Sequence, residues 1–368
     1  MLRFHNGKFK IMQIADIQDT QITSPDTLRF IKRAIEKEKP DLFVFSGDQV
    51  KSYGINIKRG NPVLNMQQTV CNILSSLSET NTPFTYVFGN HDAPDNESKQ
   101  AQISIYEAYD NCVNRFAVNR LKQSEGICLA VQNGEDNAPA LLLYLMDTHG
   151  NNAGVYDGVT DEQIEWIKVT NQSVKDEYGT VPALLFQHIP VYEMYDILEE
   201  VPKGQKGGIE GNNSHREHFY TVTEEMRRRG EYMGENIACP KNKNGEFDAL
   251  VSMGNVMGAF FGHDHNNCFT GNLKGIELGY TPGAGFHVYG PGFQRGVRII
   301  ECTESENTFT TRMVTYSDLF GTKVKEKAKC KFYNHAPSSV DAVMPTVKKI
   351  GTVCLAVGVI TAFIKLKK

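Results

Sequence analysis

Four short polar motifs, each directly after a hydrophobic run, constrain this sequence more than any other feature. They are Ala15–Gln18, Gly47–Gln49, Gly89–Asp92 and Gly262–His265, and a separate pair, Gln187–His188, follows a fifth run. Short apolar runs bounded by turn residues are typical of buried strands. If these strands lie side by side, their ends bring carboxylate, amide and imidazole groups into one cluster.

The first half of the chain alternates predicted strands with predicted helices. We predict strands at Phe9–Ala15, Leu42–Ser46 and Phe84–Phe88. A helix between Ser24 and Pro40 and a second helix at 63–77 separate them. This alternation is typical of βαβ units with parallel strands, and ligands of such sheets collect at the carboxyl ends of the strands. The first three motifs stand at such ends.

The second half repeats this order less regularly. The helix predicted over Thr160–Tyr178 begins with a capping box, and a polar helix is predicted over His215–Arg229. The further strands are predicted at Leu141–Met146, Val181–Gln187 and Val256–Phe261, with edge or antiparallel strands at Ile276–Tyr280, Gly296–Cys302 and Thr308–Val314.

Composition excludes some classes of protein. The 368 residues suffice for one large domain or two ordinary ones, and 40% hydrophobic with 22% charged residues is typical of a folded globular chain. A net charge of -4 gives no electrostatic basis for binding nucleic acid. The eight cysteines form no CxxC pair, so we expect reduced thiols and a cytoplasmic location.

The two ends of the chain differ. The first residues contain no apolar stretch of the kind found in signal peptides. We expect one domain over 1–320, a basic and polar linker over 321–347 and a hydrophobic segment over 348–368. Within that segment Ile350–Ile364 is uncharged and flanked by lysines, but fifteen residues fall short of the bilayer core of about 30 Å. Membrane attachment through this tail and a buried terminal helix are both open.

The motif residues have the chemistry of metal ligands. Divalent Mn, Fe and Zn ions bind carboxylate and imidazole groups together. An aspartate such as Asp48 bridges two metals when each of its oxygens binds one. Taken singly, His188 also fits a satisfied core histidine, and Asp48 and Asn90 fit turn residues. Five such signals in order favour a two-metal centre. Its predicted ligands are Asp16, Asp48, Asn90, His188, His263 and His265.

These motifs resemble those of the calcineurin-like metallophosphoesterase superfamily. The family pattern is D-x-H, G-D, G-N-H-D/E, a single H and G-H-x-H, and the resemblance covers roughly residues 8–302. The stretch after the last motif, including Gly285–His287, is similar to a single-domain branch of bacterial, fungal and plant proteins that resemble purple acid phosphatases. The resemblance implies a four-layer α/β/β/α sandwich.

The resemblance also implies a role for each motif residue. Asp16 and His265 would bind the first metal, and Asp48 would bridge. His91 would contact the phosphate as an acid or charge stabiliser, with Asp92 orienting it. The second metal would be bound by Asn90, His188 and His263. We expect two divalent ions, with Mn favoured over Fe or Zn.

Two departures from the family are visible. Gln18 stands where the family has histidine, and we expect it to bind the first metal more weakly or to favour a harder ion such as Mn²⁺. The alternative is that Gln18 only hydrogen-bonds Asp16 or a metal-bound water. Purple acid phosphatases place a tyrosine where this chain has Lys51, with Tyr53 two residues on, so no purple chromophore is expected.

We therefore predict a metal-dependent phosphoesterase. Its substrate would be a small phosphate monoester or diester, attacked by a hydroxide held between two metals. The alternative is a catalytically weak phosphate-binding or scaffold protein on the same fold, with Gln18 as the lesion.

Overall fold

Two β-sheets lie face to face at the centre of the protein, and helices cover both outer faces. The computed structural model describes residues 1–78, 80–135, 137–152 and 155–335. Within them the layers follow the order helix, sheet, sheet, helix. The predicted four-layer sandwich is confirmed.

The first sheet contains five strands, labelled in chain order like all elements below. Parallel strands β1, β2 and β3 occupy one side, and β18 and β19 extend the sheet antiparallel beyond β1, in the order β19-β18-β1-β2-β3. The strands are β1 (Lys8–Ile14), β2 (Leu42–Ser46), β3 (Phe84–Val87), β18 (Gly296–Thr303) and β19 (Thr308–Thr315).

The second sheet contains seven strands in the order β16-β17-β14-β9-β6-β5-β4. They are β4 (Asn119–Leu121), β5 (Gly126–Gln132), β6 (Pro139–Met146), β9 (Ala183–Gln187), β14 (Val256–Phe261), β16 (Thr270–Leu273) and β17 (Ile276–Tyr280). Strand β17 was expected at an edge or in an antiparallel pair. It pairs antiparallel with β16, as expected, and it also pairs parallel with β14 on its other side, so it is interior to the sheet.

Helices α1, α3 and α4 cover the first sheet, and α5 and α7 cover the second. The helices are α1 (Pro25–Glu38), α2 (Ile55–Lys58), α3 (Pro62–Ser78), α4 (Asn96–Ala108), α5 (Asp161–Tyr178), α6 (Glu224–Arg228), α7 (Glu246–Met253), α8 (Tyr316–Phe320) and α9 (Lys327–Asn334). The remaining strands are β7 (Asn151–Asn152), β8 (Val155–Tyr156), β10 (Glu199–Val201), β11 (Ile209–Glu210), β12 (Phe219–Thr221), β13 (Tyr232–Met233) and β15 (Asn267–Cys268). The capping box predicted for α5 is present at Thr160 and Gln163.

Neighbouring residues of the central strands belong to different apolar layers. In β1, Ile11 packs between the two sheets, whereas Met12 packs under the helices. In β2, Leu42 packs between the two sheets and Phe43 packs under the helices. Strands buried on both faces need apolar residues at every position, which explains the continuous hydrophobic runs of the sequence.

The polar helix predicted over His215–Arg229 is wrong. This segment contains β12 and the short helix α6, whose N-cap Thr223 accepts a hydrogen bond from the backbone of Met226. The ring of His215 stacks on Tyr195 at 3.8 Å between centroids. Contacts with a distant segment therefore hold this part of the chain out of the helix that its local pattern favoured.

The segment expected to be a linker contains α9, which packs against the domain. Cys330 in α9 is buried, and Glu326 lies 2.8 Å from Nε2 of His287. The described part of 321–347 therefore belongs to the same packed body. No helix among the described residues is both long and apolar enough to cross a bilayer, and the predicted tail 348–368 lies outside them.

Candidate metal centre

The ends of strands from both sheets converge on one buried cluster. Asp16, Asp48 and Asn90 follow β1, β2 and β3 of the first sheet. His188 follows β9 of the second sheet, and the segment with His263 and His265 follows β14. The cluster therefore lies where the carboxyl ends of the parallel strands of both sheets meet.

The functional groups lie within metal-ligand reach of one another. His188 Nε2 is 3.3 Å from Asp48 Oδ2 and 3.8 Å from Asp16 Oδ1. His265 Nε2 is 3.2 Å from the same Asp16 oxygen. The rings of His188 and His263 lie 5.1 Å apart. Asp16, Asp48 and His188 each offer one ligand atom, and these three atoms lie within 4.8 Å of one another.

Four buried atoms of this cluster make no hydrogen bond among the described residues, although two of them, Asp16 Oδ1 and His188 Nε2, lie within ion-pair distance of a neighbour. They are Asp16 Oδ1, Asn90 Oδ1, His188 Nε2 and His263 Nε2. Leaving a buried polar atom unpaired costs about 1–3 kcal/mol, so four in one place require an explanation. Carboxylate, amide oxygen and imidazole nitrogen are ligands that Mn²⁺, Fe²⁺ and Zn²⁺ accept together. The cluster fits divalent metal ions.

Backbone contacts fix the orientation of the imidazoles. His188 Nδ1 lies 3.0 Å from the carbonyl oxygen of Ser46, and His265 Nδ1 lies 2.8 Å from that of Tyr289. An Nδ1–H that donates to a carbonyl directs Nε2 of both residues at the carboxylates. The imidazoles are thus held in the orientation that binds metal once Nε2 gives up its proton.

The electrostatics of the cluster favour a cation. Burial opposes protonation of His188, but the carboxylates of Asp48 and Asp16 outweigh it and raise the pKa of the imidazole to about 10. Burial also opposes ionisation of Asp48, yet the charge of His188 holds the pKa of this carboxyl well below its usual range. Positive charge is therefore strongly stabilised here, and a divalent ion would supply it.

The two oxygens of Asp48 face different partners. Oδ1 accepts a hydrogen bond from the backbone N–H of His91 at 2.7 Å. Oδ2 lies 2.6 Å from the amide nitrogen of Gln18 and 3.3 Å from His188 Nε2. We call the side with Asp16, Gln18 and His265 the first half of the cluster, and the side with Asn90, His188 and His263 the second half. A bridge with one metal on each oxygen of Asp48 was expected, but only Oδ2 lies between the two halves.

Asp92 does not hydrogen-bond the ring of His91 among the described residues. Its Oδ2 accepts from the backbone N–H groups of Asp48 and Gly89, and its Oδ1 accepts from that of Val50, each at 2.7 Å. Asp92 therefore orients the turn that carries Asp48. The ring of His91 lies against Tyr53, with centroids 4.8 Å apart.

Close packing explains the glycines of the motifs. A Cβ at Gly89 would lie 2.2 Å from Asp48 Oδ1, and one at Gly262 would lie 2.8 Å from Asp16 Oδ2. Both positions therefore exclude every other residue. Asp16 and Asp48 have φ of 54° and 56°, a left-handed conformation that costs energy outside glycine and clusters at functional sites.

The cluster opens into a cleft of about 700 Å³. Its walls include Tyr53, Tyr156 and Tyr289, and the ring of Tyr289 stacks on His265 at 4.1 Å. Glu235 and Arg216 also line the cleft. Sequence reasoning missed Tyr289 and Glu235, because single residues on irregular segments give no periodic signal.

A family model described as calcineurin-like phosphoesterase matches residues 9–267. The chain belongs to this family. Members of the family use divalent metal ions, in agreement with the cluster of carboxylates and imidazoles described above.

Two curated relatives carry contrasting names. The chain is 28% identical to "Probable inactive purple acid phosphatase 28" of Arabidopsis thaliana over 339 residues, which cover 82% of this chain and 77% of the relative. It is 23% identical to "Phosphatase DCR2" of Saccharomyces cerevisiae, covering 83% of this chain and 53% of that protein. Family membership therefore leaves catalytic activity to be argued from the site.

A solved structure has the same fold. "GAP50 the anchor in the inner membrane complex of Plasmodium" superposes with a TM-score of 0.50 at 14% identity, covering 90% of this chain and 98% of the other. At this identity the similarity shows the fold alone.

Proposed function

We propose that this chain hydrolyses phosphate esters with the help of divalent metal ions. The observation that carries the proposal is the group of four buried, unpartnered ligand atoms on Asp16, Asn90, His188 and His263. A bound divalent ion supplies a Lewis acid for the phosphoryl oxygens and lowers the pKa of water toward neutrality. Asp48 and His265 complete the proposed ligand set, and Gln18 lies beside Asp48 with its amide nitrogen toward that carboxylate.

The chain's own residues would position the ester. His91 lines the cleft next to Tyr53, where its imidazole would contact the phosphate and deliver a proton to the leaving oxygen. Tyr156 packs edge-on against the ring of His263, with centroids 4.5 Å apart, and forms the opposite wall. These aromatic walls would limit the access of bulk water to the reacting phosphate.

A small phosphate ester is the proposed substrate, either a monoester or a diester. The cleft of about 700 Å³ is of the size of pockets that bind small molecules. Arg216 is the one lysine or arginine among the described residues that line it. The net charge of -4 argues against nucleic acid as the substrate.

Manganese is the proposed metal, ahead of iron and zinc. Asn90 directs an unpartnered amide oxygen into the cluster, and an amide oxygen is a harder ligand than imidazole. A harder ligand set shifts the preference of a mixed site toward Mn²⁺.

The test uses the full chain with Mn²⁺, Zn²⁺ or Fe²⁺ and two chromogenic substrates. p-Nitrophenyl phosphate reports monoesterase activity, and bis-p-nitrophenyl phosphate reports diesterase activity. Turnover of either substrate that disappears with a chelator and returns with metal would support the proposal.

A scaffold that binds phosphate without turnover is the second candidate. The observation that favours it is Gln18, which stands at a ligand position and hydrogen-bonds Asp48. In the same experiment this candidate predicts no turnover with any metal, together with saturable binding of inorganic phosphate measured by calorimetry.

A reducing compartment, the cytoplasm, is the proposed location. Seven cysteines lie among the described residues, all are free thiols, and six of them are buried. Fractionation of cells would test this location, and deletion of residues 348–368 would show whether the tail attaches the protein to a membrane.

A further inference from the structure

The side chain of Gln18 is held at both ends of its amide. Its Nε2 donates a hydrogen bond to Asp48 Oδ2 at 2.6 Å, and its Oε1 accepts one from the hydroxyl of Tyr53 at 3.2 Å. Gln18 is buried, with 2% of its surface exposed. Few other partners are therefore within reach of this amide.

The chemistry of the partners fixes which end of the amide faces which way. A carboxylate oxygen only accepts hydrogen bonds, and Asp48 Oδ2 lies 2.6 Å from the amide nitrogen of Gln18. The amide nitrogen must then face Asp48. The phenol O–H of Tyr53 donates a hydrogen bond to the amide oxygen at 3.2 Å.

This orientation turns the metal-binding atom of Gln18 away from the cluster. A glutamine binds a metal through its oxygen, since the amide N–H₂ group only donates hydrogen bonds. The oxygen points to Tyr53, and the nitrogen lies against the oxygen of Asp48 that faces both halves of the cluster. Reversal of the amide would break both hydrogen bonds.

The two halves of the cluster are consequently unequal. Three of the four unpartnered ligand atoms, on Asn90, His188 and His263, belong to one half. The other half contains Asp16 Oδ1, which lies 3.2 Å from His265 Nε2, and the occupied amide of Gln18. A cation bound by Asn90, His188 and His263 gains three free ligand atoms. A cation next to Asp16 and His265 gains the oxygen of Gln18 only if the hydrogen bond from Tyr53 is broken.

Tyr53 itself is held in place by neighbours on two sides. Its ring packs on that of His91, with centroids 4.8 Å apart, and the ammonium group of Lys51 lies 4.9 Å from its centroid on another side. The ring is therefore positioned before any ligand arrives, and its hydroxyl is directed at Gln18.

We propose that the Tyr53–Gln18 pair makes the two metal positions unequal. The chain binds one divalent ion tightly between Asn90, His188, His263 and Asp48. It binds a second ion, next to Asp16 and His265, at least roughly tenfold more weakly. Tyr53 acts here as a positioning residue. This inference rests on the proposed metal-dependent function and adds the number and order of the ions.

The experiment titrates the full chain with Mn²⁺ by calorimetry and follows the same samples by electron paramagnetic resonance. The wild-type chain is expected to bind one equivalent tightly and a second weakly. At one equivalent the spectrum should show the hyperfine pattern of an isolated Mn²⁺ ion. Exchange broadening should appear only when excess metal fills the weak position.

Two variants change the weak position in the same direction by different means. Gln18→His supplies an imidazole in place of the amide, and Tyr53→Phe removes one of the two hydrogen bonds that hold the amide oxygen away from the cluster. Each variant should lower the dissociation constant of the second Mn²⁺ ion by about tenfold or more and leave that of the first ion unchanged. Tyr192→Phe is the control, because its hydroxyl bonds Ser214 away from the cluster.

The outcomes separate this inference from the proposed function. Two equivalents of equal affinity in the wild-type chain would overturn the inference and leave a metal-dependent enzyme standing. An unchanged second equivalent in folded Tyr53→Phe would overturn it too, whether or not Gln18→His folds. A folded wild-type chain that binds no Mn²⁺ would remove the proposed function together with the inference.

Discussion

The carboxylate of Asp92 accepts a hydrogen bond from the backbone N–H of Asp48 at 2.7 Å, so the third motif holds the second in place. Two further backbone N–H groups, of Gly89 and Val50, donate to the same carboxylate. One side chain thus fixes the turn after β2 against the turn after β3. These donors favour the charged form of the carboxyl, against the burial that raises its pKa to about 8.

Asp92→Asn should destabilise the fold by roughly 2–4 kcal/mol, because the amide retains one acceptor and turns its N–H₂ group toward a backbone donor. Urea unfolding followed by circular dichroism measures the change. Asp95→Asn is the matched control, since Asp95 caps α4 at the surface and asparagine caps equally well. Equal stability of the two variants would show that the contacts of Asp92 are dispensable.

Asp48→Asn should abolish tight binding of Mn²⁺ and reduce turnover by more than about a hundredfold. The reason is that Oδ2 loses its charge at the point between Gln18 and His188. Calorimetry and hydrolysis of p-nitrophenyl phosphate measure the two effects. Asp147→Asn removes another buried carboxylate at a strand end, one that pairs with Lys99 outside the cluster, and should leave metal binding intact. Near-normal turnover in Asp48→Asn would refute the bridging role.

His91→Ala should lower kcat by roughly 10²–10⁴ while the Mn²⁺ content per chain stays at the wild-type value. The imidazole of His91 lines the cleft, and the hydrogen bond from His91 to Asp48 comes from its backbone N–H. Steady-state kinetics and elemental analysis of the same preparation give both numbers. Loss of metal from this variant would mean that His91 is a ligand instead of an acid.

Gly285→Ala should destabilise the protein by at least about 3 kcal/mol or prevent folding. A Cβ at this position would lie 1.7 Å from the carbonyl oxygen of Ile17, which as backbone cannot rotate away. Thermal unfolding measures the loss. Gly150→Ala has no atom within 4 Å of the new Cβ, so its melting temperature should stay near that of the wild type.

Glu246→Gln should flatten the pH dependence of stability. Burial raises the pKa of Glu246 to about 8, from 4.5 in an exposed chain, and Glu193 adds to the shift. Between these values the folded chain binds one more proton than the unfolded chain. Stability contributed by this group is therefore present below pH 4.5 and falls by up to about 1.4 kcal/mol per unit as the pH rises to 8.

The measurement is urea unfolding at pH 5, 6.5 and 8. The glutamine variant should lose the part of the slope that comes from this carboxyl and gain stability over the wild type at pH 8. Glu224→Gln, at the same first-turn position of α6 but exposed, should leave the slope unchanged. If the free energy of unfolding changes between pH 5 and pH 8 by the same amount in the wild-type chain and in Glu246→Gln, the raised pKa is contradicted.

Residues that act through local chemistry were predictable from the sequence. The bounds of β2 and β14 were predicted correctly, because continuous apolar runs with turn residues at both ends mark strands that are buried on both faces. The bounds of β17 were also correct, although Glu277 interrupts its apolar run. The capping box of α5 was visible as well, since Thr160 and Gln163 are three residues apart. Strand β12 was not predicted from the sequence, because tertiary contacts of His215 override the helical pattern of its segment.

The sequence by itself determined the ligand chemistry, since each motif carries its own oxygen or nitrogen atoms and the glycines that let them approach. Only the tertiary structure decided how those atoms are used. It turned the oxygen of Gln18 toward Tyr53, placed Asp92 under the turn of Asp48, and stacked Tyr289 on His265. These contacts join residues that are 24 to 44 positions apart in the chain, and no local pattern encodes such distances.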